Sequence, residues 1–100
     1  MMNNIKILTI CGSLKYQNEM MMIAEEKALE GYCVLTPVFP LKKDVKITEM
    51  QLVNLKEAHF KRIEISDSIL VVNANNYIGE STKLEIEFAK KLGKGIIYYY

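Results

Sequence analysis

Four short apolar runs divide the chain, and glycine, proline or polar residues bound each of them. The first, IKILTI, is rich in β-branched residues and stops at Cys11-Gly12-Ser13, which is typical of a strand buried on both faces. The second run ends at Pro37, a residue that interrupts strand pairing. The pattern predicts four strands, over residues 5–10, 32–37, 67–74 and 96–100.

The stretches between these runs carry apolar residues at helical spacing. Gly31 suits the position just beyond a helix C-terminus. Thr48 and Gln51 form a T-x-x-Q capping box, which marks a helix start. The pattern predicts helices over 15–31, 48–65 and 81–92, the second of them in one or two pieces.

Alternating strands and helices indicate a parallel sheet with right-handed crossovers. We therefore predict a single α/β domain over residues 1–100, a three-layer Rossmann-like (flavodoxin-like) fold. Its four parallel strands are expected in the order 2-1-3-4. Ligands of such sheets bind at the carboxyl ends of the strands, near the point where the strand order reverses.

Composition and charge exclude several classes of function. The formal net charge is +1, which gives no reason to expect nucleic-acid or membrane partners. The early apolar run is too short for a signal peptide or a membrane span, so we expect a cytoplasmic protein. Cys11 and Cys33 lack metal-ligand spacing, and we expect both to be buried free thiols, with a disulfide the less favoured alternative. No metal and no cofactor are expected.

The loop after the first predicted strand, CGSLKY, places a glycine and a hydroxyl before a helix. Backbone N–H groups and the helix dipole make such a place suitable for an anion, to which Ser13 and Lys15 would add a hydroxyl and a charge. The dinucleotide and P-loop glycine fingerprints are both missing. The alternative is structural: Gly12 makes a tight turn and Ser13 caps a helix.

The loop after the third predicted strand, NANNYIGES, is longer and more polar than a simple connection needs. Asn73, Asn75 and Asn76 supply hydrogen-bond donors and acceptors. Tyr77 offers a stacking face with a hydroxyl at its rim. The alternative is a well-solvated turn without a ligand.

Three glutamates lie in or beside the third predicted helix, and they differ in position. At about 100° per residue, the apolar side of this helix has its mean direction near Glu85, whereas Glu87 points away and Glu80 precedes the helix. A carboxylate at Glu85 would sit beside the ligand crevice, with the helix N-terminus helping to keep it ionised. The alternative is a T-x-x-E capping box, in which Glu85 folds back on Thr82.

Two segments, ILTICGSLKYQNEM…ALEGYCVLTP and AHFKRIEISDSILVVNANNYIGESTKLEIEFAKKLGKGIIYY, resemble the nucleoside 2-deoxyribosyltransferase-like family, which includes deoxynucleoside 5′-monophosphate N-glycosidases. The likeness runs along nearly the whole chain. Its most specific part is a D-x-(I/V)-(L/V)-V strand, a glycine loop and a helix with E-x-x-x-A. The family's nucleophile falls on Glu85, and its C-G-S-(I/L/M)-(R/K) loop, which holds the sugar or 5′-phosphate, falls on residues 11–15.

The resemblance implies a retaining N-glycosidase or deoxyribosyltransferase acting on a nucleoside or nucleoside 5′-monophosphate. The alternative is a non-catalytic nucleotide-binding or sensing module on the same fold. Where the family often has an aspartate, eight residues before Asp67, this chain has His59, either a helper of base departure or a hydrogen-bonded, partly buried histidine. The predicted catalytic residues are Glu85 and His59, and the predicted substrate-binding residues are Gly12, Ser13, Leu14, Lys15, Tyr16, Asn73, Asn75, Tyr77, Gly79 and Ser81.

A homodimer or higher homo-oligomer is also expected. A domain of 100 residues leaves much of its apolar surface exposed. Met20, Met21 and Met22 cannot all face one side of a helix, so at least one should point away from the sheet. The resemblance implies the same, because family members commonly complete their pockets with residues of a neighbouring subunit.

Overall fold

A computed structural model describes residues 4–42 and 44–100, and within them the chain forms a four-stranded parallel sheet. The strand order is β2-β1-β3-β4, as predicted, with β1 and β3 at the centre. Observed and predicted strand ends differ by at most two residues. The strands are β1 (Ile7–Gly12), β2 (Cys33–Leu35), β3 (Ser68–Val72) and β4 (Gly95–Tyr98).

Three α-helices connect the strands: α1 (Gln17–Leu29), α2 (Glu49–Ile65) and α3 (Glu80–Lys91). Short 3-10 turns, Leu14–Tyr16 and Ala74–Asn76, follow β1 and β3. The predicted capping box at the start of α2 is confirmed in both directions. The helix then runs as one piece, so the two-piece alternative is wrong.

Side chains alternate across the sheet and form two apolar clusters, one on each face. Leu8, Ile10, Leu70 and Val72 pack against Met20 and Ile23 of α1. On the other face Cys11, Ile69 and Val71 pack against residues of α2 and α3, among them Ile63, Ile86 and Ala89. The predicted three layers are therefore α1, the sheet, and the pair α2 and α3.

The two cysteines lie in different environments, and both are free. Cys11 is fully buried on the central strand β1, as predicted. Cys33 is exposed, so the prediction of two buried thiols is wrong for it. The reason is that β2 is a three-residue strand at the edge of the sheet, which leaves its first residue uncovered.

The three consecutive methionines of α1 divide as helical geometry requires. Met20 is buried, whereas Met21 and Met22 are 49% and 71% exposed. Across residues 4–42 and 44–100, no helix is both long and apolar enough to cross a membrane.

Candidate active site

A cavity of about 540 Å³ opens at the carboxyl ends of β1 and β3, where the two loops meet. Its volume lies in the range of small-molecule sites. Eight of the predicted site residues line it, and they come from the β1 loop, α2, the β3 loop and α3. They are Gly12, Ser13, Leu14, His59, Tyr77, Gly79, Ser81 and Glu85.

The other four predicted residues lie outside the cavity lining and shape its loops. The ammonium of Lys15 stacks over the ring of Tyr77, 4.2 Å from its centroid. Tyr16 is buried, and its hydroxyl oxygen accepts a hydrogen bond from Nδ2 of Asn75 at 3.4 Å. The side-chain oxygen of Asn73 accepts one from the backbone N–H of Tyr100 at 3.1 Å.

Gly12 is required by the core rather than by the cavity. A Cβ placed there would lie 3.0 Å from the Met20 sulfur and 3.2 Å from the carbonyl oxygen of Val72. A larger side chain at this position would therefore disturb packing between the sheet and α1. Ser13 caps the following 3-10 turn, with its Oγ accepting from the Lys15 N–H, in agreement with the structural alternative.

The β3 loop turns through two asparagines with left-handed backbone, Asn75 at φ 54° and Asn76 at φ 59°. Asparagine tolerates this conformation better than most residues other than glycine. The chain then extends to Gly79, which is the N-cap of α3. Because the helix begins at Glu80, the alternative of a capping box between Thr82 and Glu85 is wrong.

Glu85 lies at the border of the buried face of α3. The face is defined by Thr82, Ile86 and Ala89, which are all buried and stand at helical spacing. Leu84, on the other side of Glu85, is 63% exposed, so the buried face does not extend past Glu85. The prediction that Glu85 lies at the centre of the apolar side is therefore wrong. Glu87 is exposed, as predicted.

Cys11, His59 and Glu85 form a cluster at the inner end of the cavity, in which two side chains lie beside the Glu85 carboxylate. Nε2 of His59 lies 3.7 Å from Oε1 of Glu85 and 3.6 Å from the Cys11 sulfur. The side chains of His59 and Glu85 are only 7% and 16% exposed. Oε1 of Glu85 is buried and accepts no hydrogen bond from any group in the described part of the chain.

Burial raises the pKa of Glu85 to about 7, and the nearby Cys11 thiol opposes this only in part. The expectation that the helix N-terminus keeps Glu85 ionised is therefore wrong. Glu85 is the sixth residue of α3, and the dipole effect is confined to about the first turn. Desolvation consequently dominates, and both protonation states of Glu85 are populated near neutral pH.

His59 is in the opposite situation. Burial and, secondarily, the charge of Arg62 lower the pKa of His59 to about 4, against a smaller contribution from the Ile10 carbonyl. NH1 of Arg62 lies 3.2 Å from Nδ1 of His59. The imidazole is therefore neutral at pH 7, and its approach to Glu85 is not an ion pair.

Cys11, His59 and Glu85 bring a sulfur, a nitrogen and an oxygen within 4.8 Å of one another, a spacing that a metal ion needs. The contact with Arg62 argues against this use. A guanidinium has only donors, so Nδ1 must accept and the neutral ring carries its proton on Nε2. Nε2 then has no lone pair for a metal, and the carboxylate–imidazole–thiol group is better suited to holding a proton.

Sequence reasoning missed the contribution of α2. Leu52, Leu55, Lys56 and Arg62 line the cavity beside His59, as do Pro37 and Val38 from the segment after β2. The four α2 residues lie three, four or seven positions from His59 and therefore share one helical face with it. That spacing was the signal in the sequence that could have identified them.

Comparison with known proteins yields no matching family model and no match among curated proteins. Two solved structures are similar. The "2-desoxiribosyltransferase from Leishmania mexicana" superposes with a TM-score of 0.61 at 17% identity, covering 94% of this chain and 63% of that one. The CMP N-glycosidase of Clostridium botulinum gives a TM-score of 0.52 at 18% identity, covering 93% of this chain and 67% of that one. The chain thus shares the fold of both and spans about two thirds of their length.

Proposed function

We propose that the protein cleaves or transfers the N-glycosidic bond of a nucleoside or nucleoside 5′-monophosphate, with Glu85 as the nucleophile. The observation that carries this proposal is a carboxylate oxygen, Oε1, that is buried at the wall of a nucleoside-sized cavity without a hydrogen-bond partner among residues 4–42 and 44–100. The names of the two similar structures, a deoxyribosyltransferase and a CMP N-glycosidase, support the same class of reaction.

The chemistry follows that of a retaining glycosidase. An oxygen of ionised Glu85 attacks the anomeric carbon, and the bond between that carbon and the base nitrogen breaks with its electron pair leaving on the base. The product is a glycosyl ester on Glu85. Attack by water on the same carbon then breaks the ester and releases the sugar, and the proton that the water loses passes through solvent to the departed base anion. Attack by a second base instead transfers the sugar, and in both cases Glu85 is a carboxylate again.

The walls of the cavity suit the parts of such a substrate. The sugar carbon must lie against Glu85, beside the β1 loop whose Ser13 hydroxyl would serve the sugar or its 5′-phosphate. An apolar wall made by Pro37, Leu52 and Leu55 offers a surface for the base.

His59 does not serve as the acid that protonates the leaving base. Its pKa of about 4 leaves almost none of the imidazolium at neutral pH. Of the two roles considered for His59, the hydrogen-bonded buried histidine is therefore the one that its environment supports.

The test is incubation of the protein with a panel of nucleosides and nucleoside 5′-monophosphates, with free base measured by chromatography. We expect base release from at least one substrate, its near-complete loss in Glu85→Gln, and little change in Glu87→Gln, the exposed control on the same helix. Binding of a panel member without base release would contradict catalysis and favour the sensing module.

We also propose that the chain forms a homodimer or larger homo-oligomer. The exposed Met21 and Met22, together with the exposed apolar Met50 and Val53 of α2, give it uncovered apolar surface. Light scattering at micromolar concentration tests this proposal. We expect a species with more than the mass of one chain, and Met22→Lys should lower the measured mass. A monodisperse monomer would contradict the proposal.

A further inference from the structure

A buried hydrogen-bond network reaches the Glu85 cluster from the far end of α2. The backbone carbonyl of Arg62 accepts hydrogen bonds from the hydroxyls of Ser66, at 2.7 Å, and Thr9, at 3.1 Å. Thr9 and Ser66 are fully buried, so this end of α2 is fixed against β1. The Arg62 guanidinium is thereby placed beside Nδ1 of His59.

We propose that Arg62 is a positioning residue for Glu85, because its guanidinium holds His59 as the neutral tautomer with the proton on Nε2 and directs that N–H toward the Glu85 carboxylate. The tautomer stands on the geometry alone. The catalytic consequence rests on the proposed function of Glu85.

The opposite tautomer is disfavoured at Nδ1, and at Nε2 it would leave the Cys11 thiol, 3.6 Å away, as the donor that faces the bare nitrogen. A proton on Nδ1 would face the N–H groups of Arg62, so two donors would meet at 3.2 Å. The bare Nε2 would then face Oε1 of ionised Glu85, so two acceptors would meet at 3.7 Å. With the proton on Nε2, both contacts pair a donor with an acceptor.

The consequence for Glu85 concerns which protonation state the site favours. An Nε2–H group stabilises the carboxylate, whereas a bare Nε2 would accept a hydrogen bond from the O–H of the carboxylic acid and stabilise that form instead. The distance of 3.7 Å is longer than a hydrogen bond, and catalytic contacts of this kind commonly shorten when substrate binds. Arg62 thus favours the form of Glu85 that can attack.

The chain has a single histidine, which makes the tautomer directly measurable. In a long-range proton–nitrogen NMR spectrum of the protein at pH 7, the two ring nitrogens report which of them carries the proton. We expect Nε2–H in the wild type. A spectrum dominated by Nδ1–H, or by the doubly protonated ring, would overturn the proposal without reference to any activity.

Substitution of Arg62 tests its role, and the backbone bonds of its carbonyl remain in every variant. In Arg62→Met we expect a mixture of tautomers and a His59 titration midpoint above about 4, still below 6.5 because burial persists. Arg62→Lys, which keeps a cationic donor, should restore Nε2–H. Lys61→Met, which removes a neighbouring exposed cation, is the matched control and should leave the His59 spectrum unchanged. An Arg62→Met spectrum identical to that of the wild type would overturn the role of Arg62.

Catalysis provides a separate readout. For a substrate found with the panel, Arg62→Met should lower kcat about tenfold or more with little change in KM, and Arg62→Lys should recover most of it. If base release is absent from the wild type while the tautomer is as expected, the proposed function fails and the positioning role survives. If kcat is unchanged in Arg62→Met although the tautomer is lost, the positioning role fails.

Discussion

Replacing Glu85 with glutamine is expected to stabilise the fold above pH 7, although it removes the proposed nucleophile. Glutamine has nearly the same shape as glutamate and cannot ionise. In the wild type an ionised Glu85 is buried, and its Oε1 accepts no hydrogen bond from the described residues. A site that holds a charge at a cost in stability is common where function requires it.

The magnitude follows from linkage between protonation and folding. The pKa of Glu85 rises from 4.5 in the unfolded chain to about 7 in the folded protein. Between these values the folded state holds more protons on Glu85 than the unfolded state, so the contribution of Glu85 to stability is greatest below pH 4.5 and is lost as the pH rises through 7. A shift of this size at roughly 1.4 kcal/mol per unit corresponds to about 3 kcal/mol lost by pH 8.

The titration of His59 changes the stability in the opposite direction over nearly the same pH range. Its pKa falls from 6.5 in the unfolded chain to about 4, so its contribution is complete above pH 6.5 and is lost as the pH falls through 4. The two dependences largely offset each other in the wild type. The difference between Glu85→Gln and the wild type, taken at each pH, isolates the contribution of Glu85.

The assay is urea unfolding followed by circular dichroism at pH 4, 6 and 8. Glu85→Gln should be more stable than the wild type by about 3 kcal/mol at pH 8 and equally stable near pH 4. The exposed Glu87→Gln should match the wild type throughout. A difference between Glu85→Gln and the wild type that does not grow with pH would refute the reasoning from burial.

Three further outcomes are expected. Gly12→Ala should lower the free energy of unfolding by about 1–3 kcal/mol in urea titration, because its Cβ would crowd Met20 and the Val72 carbonyl; equal stability would contradict the packing argument. Thr48→Ala removes the α2 cap and should cost about 1 kcal/mol in the same assay, while an unchanged midpoint would remove the cap's role. Base release, measured as kcat/KM, should rise as the pH increases through about 7, because Glu85 must ionise to attack, and a rate that falls over this range would contradict a carboxylate nucleophile.

The order of the strands and the elements themselves were predictable from the sequence because the apolar pattern is strong and local. The β-branched run of β1 and the capping box at Thr48 each specify one kind of element without long-range information. The exposure of Cys33 was not predictable in this way. The predicted strand order already placed β2 at the edge, but the exposure depends on β2 having only three residues, and that extent is determined by the assembled sheet.

The candidate site was also predictable in part. The two loops follow β1 and β3, and the parallel topology brings the carboxyl ends of these strands, and Glu85 in the first half of α3, to the same end of the sheet. The cluster around Glu85 combines β1, α2 and α3, whose residues are up to 74 positions apart, and its distances follow from tertiary packing. The contact of Arg62 with His59 is local in sequence, but its meaning depends on Glu85 lying on the other side of the ring.

The measurement that tests the central claim most directly is detection of the glycosyl ester on Glu85. The protein is mixed with a substrate identified from the panel, quenched in acid within milliseconds to seconds, digested and analysed by mass spectrometry. The account predicts a peptide containing Glu85 that is heavier by the bound sugar or sugar phosphate, and no such peptide in Glu85→Gln. Base release that proceeds in the wild type with the adduct on another residue, or at an undiminished rate in Glu85→Gln, would contradict it.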